Sequence, residues 1–264
     1  MGGRGSHMPY RSIGSISLLA TVLAFPSLVG AQQQAAAKGS AGGPDLSGVW
    51  TMQNGPGARY FAYTFSAQEP SMTPWAEERF KLTKPSFGPR AVEDSNDPVN
   101  PTTVNATGCF PPGVPRVYLQ PFPMEIIQTP GRVLMVFEFS HLVRQIWTDG
   151  RKHNTDLGPT WMGDSIGTWE GDTLVVDTIG FNDKTWLDRG GHPHSDQLHV
   201  TERIRRTDTN TLQIAVNMED PKAYTKPWGG TMTFGLRPKW NINEMICEDN
   251  VNFDSFLKNE VKPK

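Results

Sequence analysis

From Met124 onward the chain is a succession of short runs of branched and aromatic residues, each ended by glycine, proline, asparagine or aspartate. Such runs predict β-strands joined by turns. The pattern is clearest in residues 159–181, where Glu170-Gly171-Asp172 connects two strand-favouring runs and glycine supplies the positive φ that a tight turn needs. The second run, Thr173–Ile179, carries branched side chains on both faces, as a strand covered on both sides does. Around this hairpin, 124–128 pairs with 133–139 across Thr129-Pro130-Gly131-Arg132, and 141–148 leads to the turn Asp149-Gly150-Arg151. The runs 198–205, 211–218, 230–236 and 242–248 complete the sheet. With an early strand from Gly48 this gives about nine or ten strands, all alternating antiparallel. A meander of that size loses its exposed edges by closing on itself, so the expectation is an all-β barrel, with an open sandwich as second choice.

Residues 53–123 are punctuated by glycine and proline and break the pattern. One helix is predicted over 71–80, with Thr73 as cap, Pro74 in the first helical position and Glu77 and Glu78 in the first turn. The remainder is a long loop, and loops of that length in a compact domain tend to be lids or binding walls.

Composition agrees with strands and turns, since glycine (26), proline (22) and tryptophan (8) are plentiful in the 264 residues. The 25 basic and 27 acidic residues are scattered, which disfavours nucleic acid and anionic membranes as partners. An apolar run at 17–25 behind Arg4 and Arg11, closed by Leu28-Val29-Gly30-Ala31, reads as a secretory signal over 1–31, too short for a membrane span. Gly5-Ser6-His7-Met8 within it has the form of an expression-vector remnant. A disordered linker at 32–44 then precedes a single domain at 45–258, in a secreted or periplasmic protein. In that compartment Cys109 and Cys247 form one bridge or stay as two buried thiols.

Chemistry concentrates in the loop 181–196, which holds Lys184, Trp186, Asp188, His192, His194 and Asp196 between two strands. Loops of this kind ring the mouth of a barrel. His192 and His194 straddle Pro193, so an extended backbone points both imidazoles to one side, where either serves as acid or base and Asp188 or Asp196 orients it. A metal reading uses His192, His194 and His199 with Asp196. On the strand at 198–205, Glu202 lies between Val200 and Ile204, and Arg144 lies between Leu142 and Ile146. Two such charges either meet inside the barrel, as a brace or an active-site dyad, or point to solvent. Asp164 follows Trp161-Met162-Gly163, where glycine allows a backbone to approach a ligand closely. Trp161, Met162, Trp186, Phe139, Tyr224 and Trp228 offer apolar walls for a flat organic ligand. No phosphate-cradling loop, dinucleotide fingerprint or Gly-x-Ser-x-Gly elbow occurs, and no organic cofactor is expected.

Gly48-Val49-Trp50 resembles the opening signature of the lipocalin superfamily, which implies a barrel whose floor the tryptophan closes. A longer resemblance spans 46–248. Residues 159–163 (Pro-Thr-Trp-Met-Gly), 165–167 (Ser-Ile-Gly), 169–178, 180–188, 191–195, 198–203 and 220–228 are similar to a widespread family of exported, mostly uncharacterised proteins. The chain is also similar to secreted fungal enzymes that catalyse hetero-Diels-Alder cycloadditions in terpenoid pathways, although no catalytic residue carries over from them. The expectation is an exported enzyme binding a small apolar oxygenated molecule in a barrel cavity. His192, His194, Asp164 and Arg144 are the catalytic candidates. Lys184 and Glu202 join the apolar walls in binding, and cyclisation, elimination or isomerisation fits this equipment. A non-catalytic carrier and a metal-binding protein are the alternatives.

Overall fold

In the computed structural model, which describes residues 43–54, 63–99, 109–156 and 158–246, the predicted meander closes on itself. The barrel strands are β1 (Gly48–Asn54), β2 (Met124–Thr129), β3 (Arg132–Phe137), β4 (Val143–Trp147), β5 (Asp164–Glu170), β6 (Thr173–Ile179), β7 (His199–Asp208), β8 (Thr211–Glu219) and β9 (Trp228–Leu236). Spatial order follows chain order, and β1 closes the ring between β2 and β9. The lipocalin-like all-β barrel expected from the sequence is therefore the fold. All described residues fall within one compact unit, Lys38–Lys264. The expected export signal (1–31), most of the 32–44 linker, Cys247 and the end of the expected domain lie outside the described residues. Among the described residues no helix is long and apolar enough to cross a membrane.

Two features depart from the expected meander. β4 and β5 run parallel, with Ile146 opposite Ser165 and Trp147 opposite Ile166, because the chain between them crosses back over the barrel instead of turning in place. Residues 242–246, the described part of the run 242–248, form no barrel strand: they make a single bridge, from Met245 to Phe139, and β1 takes the position beside β9. The central hairpin turns at Gly171, whose φ of +62° is the backbone freedom a two-residue turn requires. The predicted helix is α1 (Pro74–Leu82), whose Thr73 hydroxyl accepts from the Ala76 amide at 3.4 Å.

Alternation sends Ile126, Met135, Ile146, Val176, Val200, Ile204, Ile214 and Met232 inward, all of them buried. Trp50 is fully buried and its indole N–H donates to the Leu46 carbonyl at 3.0 Å. A short 3-10 turn, Arg116–Leu119, brings Tyr118 into the same interior, edge-on to Phe137 and Phe234. Among the described residues, side chains thus pack the barrel interior.

At the centre of that filling lies an ion pair. Arg144 and Glu202, 1% and 0% exposed, are charges in an apolar interior, and such charges persist only when every proton has an acceptor. The Arg144 Nε donates to Ser165 Oγ (3.2 Å), Nη1 donates to Tyr118 Oη (2.6 Å) and Glu202 Oε1 (2.9 Å), and Nη2 donates to Thr178 Oγ1 (2.9 Å) and to Glu202 Oε2. Tyr118 passes its own proton to Glu202 Oε1 at 2.6 Å. All five guanidinium protons are used. Burial opposes the charge on Arg144, but Glu202 and Tyr118 together outweigh it and raise the pKa further, while burial pushes the Tyr118 phenol well above its usual value. The network joins β4, β5, β6, β7 and the 3-10 turn. Arg144→Met alone, which strands a buried carboxylate, should cost about 3–5 kcal/mol in urea unfolding, and adding Glu202→Met should recover most of that loss.

Candidate functional site

The four catalytic candidates occupy four different places. Arg144, with Glu202, is consumed by the core network. Asp164 begins β5 on the outer face of the barrel. There it accepts from His153 Nδ1 at 2.7 Å and from the Asn154 amide at 3.1 Å. His153 Nε2 donates to Asp177 Oδ1 (2.7 Å), and the other Asp177 oxygen meets His199 Nε2 (2.7 Å). Burial disfavours a charged His153, yet Asp177 and Asp164 together raise its pKa, and both ring nitrogens act as donors. The row Asp164, His153, Asp177, His199 pins the β4–β5 connection to the outer wall. A methyl group on Gly163, whose φ is +68°, would come within 2.7 Å of Thr178 Cγ2 and 2.8 Å of the Ile179 carbonyl, so glycine lets the chain pass close against β6.

His192 and His194 do not share a side, because each ring is captured by its own partners. His192 Nδ1 donates to buried Asp188 at 2.6 Å and Nε2 to Glu69 at 2.7 Å, while its ring stacks on Phe80 at 4.7 Å and meets Trp228 at 5.3 Å. Burial works against the charge, but the two carboxylates prevail and hold the pKa up at about 9. A doubly bonded imidazolium is a clip between the loop and segment 63–70, and a poor base. It faces a crevice of about 50 Å³ that also touches Tyr63, Phe87 and Arg90. The metal set is likewise dispersed, with His199 on Asp177 and Asp196 near Lys222. Among the described residues no group of three or more His, Cys, Asp or Glu is placed to hold a metal ion.

His194 is different. Its Nδ1 faces the Ser195 carbonyl at 3.2 Å, and a carbonyl only accepts, so Nδ1 carries the proton and Nε2 is left as an acceptor. The Thr185 hydroxyl donates to that Nε2 at 3.3 Å. Burial lowers the His194 pKa and keeps the ring neutral. Asp220 fixes the support: its oxygens accept from the Ser195 amide (2.6 Å) and hydroxyl (2.8 Å) and from the Ala223 amide (3.1 Å). The ring and Thr185 open into a cleft of about 290 Å³, bounded by Lys184 and Trp186 on the same loop and by Arg79, Asn96 and Pro98 from the irregular segment. That segment, expected as a lid or binding wall, forms the far side of the cleft.

The apolar candidates divide in the same way. Trp186 lines the cleft, and Trp161 stands next to it, with Lys184 Nζ 5.9 Å from its ring and Phe110 5.3 Å away. Met162 packs against the core, Phe139 meets Phe122 at 5.5 Å with the rings tilted by 47°, and the Tyr224 hydroxyl donates to the Pro193 carbonyl at 2.7 Å. Trp228 sits between Tyr224 and His192. None of these four lines the His194 cleft. Thr185, Arg79 and Asn96 were not among the sequence candidates; Thr185 lies in the loop singled out, but nothing in its spacing marks it as the partner of His194. No protein-family model and no curated protein matches the chain.

The two histidines give stability opposite pH dependences. His192, with its pKa raised from 6.5 to about 9, contributes fully below pH 6.5 and loses the contribution as pH rises through about 9. His194, with its pKa lowered, contributes above 6.5 and loses the contribution on acidification through its folded value. Urea midpoints measured against pH should fall on both sides of neutrality, with His192→Asn flattening the alkaline limb and His194→Gln the acid one.

Proposed function

We propose that the protein is an exported enzyme that needs no organic cofactor and acts on a small, largely apolar, oxygenated molecule bound at the barrel mouth. The observation that carries this reading is the neutral His194, its Nε2 held as an acceptor against the Thr185 hydroxyl in a cleft of about 290 Å³. A neutral imidazole of fixed tautomer is a ready general base at neutral pH, and general acid–base groups supply about 10²–10⁴-fold in rate. In this scheme Nε2 takes a proton from the substrate, directly or through Thr185. Lys184 and Arg79, charged groups at the rim, polarise or protonate an oxygen where negative charge develops. Trp186 supplies a flat apolar surface that orients the molecule. Elimination, isomerisation and cyclisation each need this combination of base, oxygen stabiliser and apolar floor.

The apolar run at 17–25 supports export, and the substrate pocket is the mouth cleft and not the barrel interior, which the Arg144 network and Tyr118 occupy. A carrier would be better served by a wholly apolar chamber, whereas Arg79, Asp183, Lys184, Thr185 and His194 set charged and hydrogen-bonding groups around this cleft. The test is a screen of oxygenated terpenoid and polyketide-like compounds for turnover, followed by variants. His194→Gln should lower kcat by about 10²–10⁴-fold with little change in KM, and Thr185→Val should lower it by a smaller factor. Unchanged turnover by His194→Gln would place the chemistry elsewhere.

A further inference from the structure

Behind the mouth cleft lies a cluster of charges that does not balance. Arg116 is 0% exposed and Arg189 3% exposed. Arg116 donates through Nη2 to both oxygens of Asp97, at 2.8 and 2.6 Å, and Asp97 also accepts from the Val99 amide at 2.9 Å. That pair uses one guanidinium nitrogen of Arg116. Its Nε and Nη1 have no hydrogen-bond partner among the described residues, and the same holds for Nε and Nη1 of Arg189. The Arg189 guanidinium lies flat on Phe87, 3.3 Å from the ring, and makes no ion pair among the described residues. Burial lowers its pKa to about 10, and the neighbouring charge of Arg116 adds to the effect more than Asp97 offsets it.

Two buried cations therefore face one carboxylate, with four guanidinium nitrogens unsatisfied. An unpaired buried N–H carries the full cost of its desolvation, more when it is charged, so four of them together call for an acceptor. The contrast with Arg144 in the same molecule is direct: there every proton has an acceptor. The Arg116 and Arg189 cluster also lies where a ligand can arrive. Trp186, 5.5 Å from the Arg116 guanidinium, and Asn96 and Pro98, either side of Asp97, line the His194 cleft. Phe87 and Gly190, which contact or adjoin Arg189, line the His192 crevice together with Arg90. Phe87 is the shared wall between that crevice and Arg189.

We propose that Arg116 and Arg189 form a receptor for one small oxyanion, a carboxylate or a phosphate-type group, reached when the Phe87 ring swings aside. The guanidinium fork matches both geometries, and the unsatisfied nitrogens provide the donors. This site is separate from the His194 base and stands whether or not that base is catalytic.

The test is thermal unfolding and isothermal titration of the full chain with acetate, benzoate, phosphate and sulfate, against sodium chloride at equal ionic strength to remove general salt effects. At least one oxyanion should raise Tm saturably with one site per chain, and the acetate and benzoate arms against the phosphate and sulfate arms identify the ligand class. Arg189→Met should weaken that binding at least tenfold while the anion-free Tm stays level or rises, because an unpaired buried charge is gone. Asp97→Asn, which removes the competing carboxylate, should make the oxyanion-induced shift larger. Absence of a saturable shift with all four anions, or a shift unchanged in Arg189→Met, or no enlargement in Asp97→Asn, would overturn the proposal.

Discussion

The structure depends on a charge neutralised at the centre of the barrel. Arg144 and Glu202 sit on β4 and β7, and the intervening strands β5 and β6 supply Ser165 and Thr178 to the same guanidinium. In a low-dielectric interior such a pair is tolerated only with full hydrogen bonding, so any register in which one partner shifts by a residue is strongly penalised. Tyr118 completes the set from outside the sheet, and the 3-10 turn that carries it is thereby tied to the barrel interior. The interaction fixes register and fills the space in which a lipocalin-like barrel would hold a ligand.

With the interior occupied, the chemistry proposed above falls to the mouth. The loop between β6 and β7 supplies Lys184, Thr185, Trp186 and His194, and the irregular segment 63–99 supplies the opposing wall through Arg79, Asn96 and Pro98. Neighbouring imidazoles in one loop acquire opposite roles from their surroundings. His192, between Asp188 and Glu69, is a permanent cation at neutral pH and clips the two walls together. His194, beside a carbonyl and a hydroxyl in a desolvated position, is a neutral acceptor. Environment, not residue type, separates the clip from the base.

The barrel was legible because short strand-favouring runs ended by turn residues recur from β2 to β9, most of them with period-two alternation, and because Pro74 behind Thr73 marks a helix start by sterics alone. The Arg144 and Glu202 pair was legible as one of two alternatives, since each lies between apolar residues at i−2 and i+2, and the sequence alone left open whether they meet inside or point to solvent. The parallel step from β4 to β5 was not, because 148–163 carries turn residues throughout and a local pattern says nothing about where a long connection lands. Tyr118 was hidden in a proline-rich stretch without periodicity. The two histidines misled because side-chain direction in a loop follows the partners available: Asp188 and Glu69 claim one ring, Thr185 and Ser195 the other. His153 went unnoticed since nothing in its flanking residues announces that Asp164 and Asp177 will bracket it.

Methyl-labelled NMR during titration with small oxygenated apolar compounds separates a filled barrel with a mouth site from a hollow one. Resonances of Thr185 and of Leu82, both at the cleft, should shift, while those of Val176, Val200, Ile204 and Ile214 inside the barrel stay fixed. Saturable shifts of the inward methyl groups, with Thr185 and Leu82 unmoved, would contradict the account.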